Sequence, residues 1–535
     1  MNNSDLIVKV LRSAGIRHGF GVPSGNVLPL MDAMRSGGID FVLTAHEGSA
    51  AFAADVSGRQ TGVPGLCIAT LGPGATNLAT GVGSAFLDRS PMIAITCTLY
   101  RAQLGRRIQM WIDHHTLFKP ITKATLQLRP GEIQSTLAEA LRIAMAEPPG
   151  PVHLDLPEDV ALAEVSEVVA DAVPPAGAKV RTAVQPEIDA AAALLRKARR
   201  PVAVIGTSAM RMRDPALLAR FLERHRMPFA TTTMAKGMVD EDHPLSIGCI
   251  ERSKRKIQRA FIAGADLIVA LGYDTIEVEY EAWTGKVPVL HVDIERADVA
   301  AGVNLAQEVV GDVDDALARL AALPATQYAW GEQEIKGHRE AFQSALRPAT
   351  RRFGPHQAID AVRRVLPSNG VLAFDVGAHT HQIASQWFAH APRQFLVTNG
   401  WSSMGFGIPA AIAAKLADRS LPVVCLLGDG CFQMTCGEVA VALRQKLPLP
   451  IVVLDDRWLS LIKVKQERRS LPYYGTETTI SDYRLPPEHY FGVRAVGVDS
   501  AEGLERELRK ALEADGPTVI EAVVDPEHYS ETVFD

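Results

Sequence analysis

Apolar residues recur along the chain in two alternating patterns, short runs that are apolar at nearly every position and longer stretches with helical spacing. Residues 66–70, 92–96, 202–206, 267–271, 287–292, 423–427 and 451–454 form runs of the first kind, rich in β-branched side chains. A strand that is apolar on both faces belongs in a parallel sheet covered by helices on each side, whereas a strand with one wet face alternates. Helical spacing fills residues 188–198 and 501–514. This alternation predicts several α/β units, each with a mostly parallel sheet flanked by helices.

Two stretches interrupt the pattern. Around 163–185 the run Val173-Pro174-Pro175-Ala176-Gly177 resists a packed element, and 324–353 separates the middle of the chain from its last third. The division gives three domains, 1–172, 186–325 and 353–535, each near the usual ~150 residues. Of the 535 residues, 47% are hydrophobic and 22% charged, which excludes wholesale disorder. The 55 basic and 61 acidic residues leave a net charge of -6, which argues against nucleic acid or an anionic membrane surface as the main partner. Six cysteines in so long a chain make no disulfide scaffold, and their spacing forms no metal-ligand pairs. The first residues lack a signal sequence's basic flank and apolar core, and no run approaches the ~20 apolar residues of a membrane helix. A cytoplasmic protein is expected.

Candidate chemistry concentrates where predicted strands end. The run 423–427 leads into Gly428-Asp429-Gly430-Cys431. A carboxylate between glycines at the carboxyl end of a parallel strand suits a divalent cation with a diphosphate, because glycines let backbone N–H groups approach the anion. A helix-capping aspartate is the plainer alternative for that turn. The next predicted strand ends in Asp455-Asp456-Arg457-Trp458. One strand–helix–strand crossover separates the two acidic sites, which places both carboxylates at neighbouring strand ends.

Taken together, these motifs resemble the thiamine diphosphate signature of the pyruvate oxidase / acetolactate synthase / 2-oxo-acid decarboxylase superfamily. The resemblance runs nearly end to end: Gly21-Val22-Pro23, His46-Glu47-Gly48 and Leu71-Gly72-Pro73-Gly74-Ala75-Thr76-Asn77 at the front, then Asp375-Val376-Gly377-Ala378-His379, Trp401-Ser402-Ser403-Met404-Gly405 and the acidic pair. It implies three domains: pyrimidine-binding, central and diphosphate-binding. Glu47 would exchange a proton with the cofactor's aminopyrimidine ring, with Pro23 also at the cofactor. Met404 would wedge between the two cofactor rings, and the backbone of Ser402 and Met404 would hold the pyrimidine edge. Gly377, His379, Gly428, Gly430 and Cys431 would lie at the diphosphate, with Mg²⁺ held by Asp429, Asp456 and Trp458. Gln109, His114 and His115 are the substrate-side candidates, since histidines titrating near neutral pH can move protons beside a carbanion. Lys465 lies in the segment that would help enclose the substrate. In this family the glutamate serves a cofactor held by a second copy, so the resemblance implies a homodimer or homotetramer with active sites at the subunit interface.

Departures bear on the reaction. Asp456 stands where asparagine is usual, and Cys431 replaces serine or alanine. Gly25 replaces the aspartate or serine of decarboxylases, while Lys465 replaces the tryptophan of biosynthetic synthases. Gly206-Thr207-Ser208 lacks the glycine triplet of the flavin-binding members, which argues against FAD. Gly272-Tyr273-Asp274 with Trp283 resembles the flavin-free acetolactate synthases. The expected reaction is decarboxylation of a 2-oxo acid, with transfer of the acyl carbanion to an aldehyde or a second 2-oxo acid. Simple decarboxylation, of the pyruvate or benzoylformate decarboxylase kind, or another thiamine diphosphate-dependent carbon–carbon lyase reaction, is the alternative. A dinucleotide oxidoreductase would need a Gly-x-Gly-x-x-Gly after a middle-domain strand, and none stands there. A non-catalytic relative would be expected to have lost Glu47 or a metal ligand; both are present.

Overall fold

The computed structural model describes residues 1–169, 180–278, 281–478, 488–489 and 491–533. Three parallel sheets follow one another along the chain. The first orders its strands Asp40–Leu43, His18–Gly21, Gly65–Thr70, Met92–Thr98, Pro151–Pro157 and Ala124–Gln127, all parallel. The second runs Leu305–Val310, Val289–Asp293, Leu267–Leu271, Pro201–Ile205, Phe229–Thr231 and Ser246–Cys249, again all parallel. The third has seven strands, and only its edge strand Glu488–His489 is antiparallel. Its centre pairs Val371–Phe374, Val423–Gly428, Pro450–Asp455 and Thr518–Val523 in that order. Apolar runs on both faces produce this burial: Gly65–Thr70, Met92–Thr98 and Pro450–Asp455 are buried at every position.

The first and last domains share one core. Helix Glu47–Thr61 packs on helix Gly407–Ala417, and both contribute alanines, 50, 51, 53 and 54 from the first and 410, 411, 413 and 414 from the second, to that shared core. Small side chains let the two helix backbones approach, and Phe52 meets Phe406 edge-on with ring centroids 5.7 Å apart. The middle domain keeps a separate core under its own sheet.

The proline-rich run Val173-Pro174-Pro175-Ala176-Gly177 lies outside the described residues. The second interruption is not an unstructured connection: it contains helix Glu332–Ala345, anchored by buried Ile335 and Phe342. Two anchors seven residues apart are too sparse a stripe to stand out in a polar sequence.

Candidate active site

Strand register brings the two acidic turns together. Gly428 pairs with Leu454 across adjacent parallel strands, so Asp429 and the Asp455-Asp456 turn leave the sheet side by side. Asp429 opens helix Asp429–Thr435. Its carboxylate accepts the Gly430 N–H at 2.8 Å and the Thr478 hydroxyl. Asp456 accepts the Trp458 N–H at 2.9 Å and the Ser460 hydroxyl at 2.7 Å. Burial, and then the charge of Asp429, pushes Asp456 up to about 8. Burial, together with Asp455, pushes Asp429 up to about 6. Asp455 Oδ2 is buried without a hydrogen-bond partner, with Arg457 Nε at 4.0 Å. Asp455 thus disfavours the charge of Asp429, and both disfavour that of Asp456, which is the electrostatic setting a divalent cation relieves.

A cavity of about 220 Å³ opens above this pair. Every position assigned to the last domain, Gly377 through Trp458, lines it, together with Leu459–Ile462 of the following turn and Tyr529. Its floor is backbone. A Cβ on Gly377 would stand 2.7 Å from the His379 ring, and one on Gly428 would stand 3.1 Å from it. Burial pushes His379 down to about 4, so the ring is neutral, and its Nε2 is buried without a hydrogen-bond partner. Cys431 donates its thiol to the Val376 carbonyl at 3.1 Å and joins the two turns. Met404 reaches within 3.4 Å of a Cβ built on Gly430. Ser402 holds a left-handed backbone at φ 52°, a strained state for a residue with a side chain. The bare glycine floor, an orphaned imidazole nitrogen and the paired carboxylates suit a diphosphate with its metal ion. Lys465 lies beyond the cavity lining, which ends at Ile462 in that helix.

The front-domain candidates lie elsewhere. Glu47 is the first residue of its helix, half-buried, and its Oε2 accepts the Asn77 side-chain amide at 3.0 Å. His46 caps that helix by accepting the Gly48 N–H on Nδ1 at 3.0 Å. Glu438 of the last domain accepts the Ala45 and His46 N–H groups and fixes the approach to Glu47. Pro23 and Gln109 are exposed. His114 is buried: Nδ1 stands 2.9 Å from Asp155 Oδ1, and Nε2 accepts the Gly72 N–H at 3.2 Å. Both its ring nitrogens are therefore occupied within the fold. His115 is half-buried and places Nδ1 2.8 Å from the Thr125 hydroxyl. None of Pro23, Glu47, Gln109, His114 or His115 lines the last-domain cavity.

Sequence reasoning passed over several participants. Asp375 is buried, and its carboxylate accepts the N–H groups of Gly405 at 3.0 Å and Gly407 at 2.9 Å, which fixes the turn after Met404. Its position inside a quoted motif was the available signal, as it was for Asn77. Thr478 and Tyr529 lie far along the chain from the strand ends they reach, and nothing local marks them.

With this geometry in place, comparison with known proteins identifies the class. The chain matches the thiamine pyrophosphate enzyme N-terminal TPP binding domain over residues 1–117, the central domain over 188–320 and the C-terminal TPP binding domain over 375–522. It belongs to the thiamine pyrophosphate enzymes. Its relatives include the probable acetolactate synthase large subunit of Methanocaldococcus jannaschii, 31% identical over 98% of this chain and 92% of that one. The acetolactate synthase isozyme 2 large subunit of Escherichia coli is 31% identical over 98% and 96%, and the acetolactate synthase of Bacillus subtilis is 27% identical over 99% and 94%. The chain is thus a thiamine diphosphate-dependent carboligase of the acetolactate synthase-like kind.

Proposed function

We propose that this enzyme, with Mg²⁺ and thiamine diphosphate, decarboxylates a 2-oxo acid such as pyruvate and joins the acyl group to a second 2-oxo acid or an aldehyde. The observation that carries the site assignment is the cavity in which His379, Met404, Asp429 and Asp456 converge over a glycine floor. Asp429, Asp456 and the Trp458 backbone hold the metal ion, and Gly377, Gly428, Gly430 and Cys431 border the diphosphate. Met404 presses from the side, and the Ser402 and Met404 backbone faces the pyrimidine edge. Bound there, thiamine diphosphate supplies the electron sink for the pair released when carbon dioxide leaves. Glu47 moves a proton at the pyrimidine ring nitrogen.

Glu47, Pro23 and Gln109 do not line the cavity of their own chain, and Pro23 and Gln109 are exposed. We therefore infer a homodimer, or a tetramer of two such pairs, in which each copy presents Glu47 to the other's cavity. The bound state of His114 favours ligation over the simple decarboxylase reading, which would use the histidine pair on substrate. FAD is disfavoured because the Gly206-Thr207-Ser208 turn lacks the glycine triplet and its N–H groups are taken by the Leu271 carbonyl at 3.0 Å, Glu277 at 2.8 Å and the Gly272 carbonyl at 2.9 Å. All six thiols are free, in keeping with a reducing cytoplasm. No helix among the described residues is long and apolar enough to cross a membrane.

The test is product analysis with pyruvate and a panel of 2-oxo acids, alone and with added aldehydes. A 2-hydroxy ketone product that retains the acyl carbons of one substrate supports ligation. Exclusive release of free aldehyde with every pair overturns it.

A further inference from the structure

The loop that leads into Ser402 and Met404 belongs to the last domain, yet front-domain side chains hold it. Arg59, near the end of the helix that Glu47 begins, donates Nη1 to the Val397 carbonyl at 2.7 Å. Its other nitrogens are engaged by Asp55, at 2.6 Å to each carboxylate oxygen, and by Asp88 at 3.1 Å. Asp88 turns its carboxylate to the loop backbone: Oδ1 accepts the Gly400 N–H at 2.7 Å, and the Asn399 N–H lies 3.2 Å from both oxygens. Between these contacts, the Ser84 and Thr398 hydroxyls meet at 2.9 Å. The Asp88 side chain is 2% exposed and that of Asp55 fully buried, so these charge-assisted bonds act away from solvent screening.

Packing repeats the arrangement. A Cβ on Gly400 would stand 2.6 Å from Leu87 Cβ, so the loop lies directly on the end of helix Pro73–Leu87. One turn back, a Cβ on Gly83 would stand 2.8 Å from the Trp401 indole, and the bare helix there forms the seat for that ring. Beyond Met404, Phe406 lies under the Arg59 guanidinium with 5.4 Å to the ring centroid. From Val397 to Phe406 the loop is thus moulded on two front-domain helices, and Asp375 is its anchor from its own domain.

We infer that Asp88 and Arg59 are positioning residues for the reaction, a clamp across the domain boundary that sets where Ser402 and Met404 stand at the cofactor's pyrimidine end. The inference rests on the assignment of Ser402 and Met404 to that end. Neither clamp residue lines the cofactor cavity. Their effect is therefore confined to one end of the ligand, because the diphosphate end is built from strand-end turns that the clamp does not touch. A defect in general folding has no such polarity.

Two ligands separate the ends: thiamine diphosphate with Mg²⁺, and inorganic pyrophosphate with Mg²⁺. Their affinities are measured by calorimetry on the full-length protein, in wild type, Asp88→Asn and Arg59→Lys. Asp88→Asn keeps the shape but removes the charge that receives the two N–H groups. Affinity for thiamine diphosphate should fall about tenfold or more, the usual scale for a buried charge-assisted bond, with pyrophosphate affinity unchanged within about twofold. Arg59→Lys, which cannot hold Asp55, Asp88 and Val397 together, should shift the same ratio in the same direction. It also decides the matter if Asp88→Asn does not fold. Unchanged affinity for both ligands, or an equal loss for both, overturns the clamp. A wild type that binds pyrophosphate as tightly as thiamine diphosphate instead overturns the pyrimidine assignment beneath it.

Discussion

The Asn77 side-chain amide donates to Glu47 Oε2 at 3.0 Å and so ties the first residue of one front-domain helix to the second turn of the next. The bond fixes one carboxylate oxygen. A hydrogen bond to a charged group contributes about 1.5–3 kcal/mol where it is protected from water. Asn77→Ala should therefore leave Glu47 able to carry its proton but poorly aimed. The expected result is a kcat lower by about tenfold, with thiamine diphosphate affinity within about twofold of wild type. Steady-state kinetics alongside calorimetry checks this; an unchanged kcat would show that Asn77 holds the helix and not the acid.

A second prediction concerns the acidic pair. Asp429→Ala removes a carboxylate from the strand end at which the metal ion and diphosphate are expected. Mg²⁺-dependent binding of thiamine diphosphate should become undetectable by calorimetry. Asp456→Asn keeps one oxygen for the Trp458 N–H, while its NH₂ can donate to the Ser460 hydroxyl oxygen, and it should retain binding. Loss of binding in Asp456→Asn, or its survival in Asp429→Ala, contradicts the assignment.

The acid sensitivity of the front domain should trace to His153. This imidazole is fully buried, stacked on Phe118 with ring centroids 4.4 Å apart, with Nε2 2.8 Å from the Thr96 hydroxyl. Burial pushes it down to about 3 from 6.5, with Asp155 opposing and His114 and His115 adding to the shift. A depressed histidine is neutral in the fold, while the unfolded chain binds the proton first. Its contribution is therefore fully present above pH 6.5 and is lost as pH falls from there towards 3. At pH 5 the loss is about 2 kcal/mol. Urea midpoints from pH 7 to 5 should fall less steeply in His153→Gln than in wild type. Parallel curves would assign the acid sensitivity to other groups.

The middle domain leads to a spectroscopic prediction. The turn after strand Pro201–Ile205 has its Thr207 N–H held by Glu277 at 2.8 Å and its Ser208 N–H held by the Gly272 carbonyl at 2.9 Å, so it offers poor ground for a dinucleotide's phosphates. The purified protein should show no flavin band in the visible spectrum. A stoichiometric yellow cofactor would contradict this.

What could be read from the sequence follows the range of the interactions involved. The all-apolar runs announced parallel strands because burial on both faces leaves its mark residue by residue, and 267–271 coincides with strand Leu267–Leu271. The residues around the acidic pair were legible because each falls in a short contiguous motif at a strand end. His114 was not: its burial depends on helix His114–Phe118 folding onto the sheet beside Asp155, a contact between residues 41 positions apart. The grip of Asp88 on Asn399 and Gly400 spans more than half the chain, and no local pattern encodes it. Glu47 could be named from its motif, but only the fold shows that it stands outside its own chain's cavity.

The central claim is that Glu47 moves the proton that activates the cofactor, and one measurement tests it without knowledge of the substrate. Exchange of the thiazolium C2 proton of bound thiamine diphosphate into deuterated water is followed by acid quench and NMR, in wild type and Glu47→Gln. The substitution keeps size and hydrogen-bonding shape, so the cofactor should still bind through its diphosphate and Mg²⁺. Exchange should slow by about 10²–10⁴-fold, the scale expected for loss of a positioned acid–base group. If Glu47→Gln exchanges as fast as wild type, Glu47 merely opens its helix, and the enzyme activates its cofactor by another group.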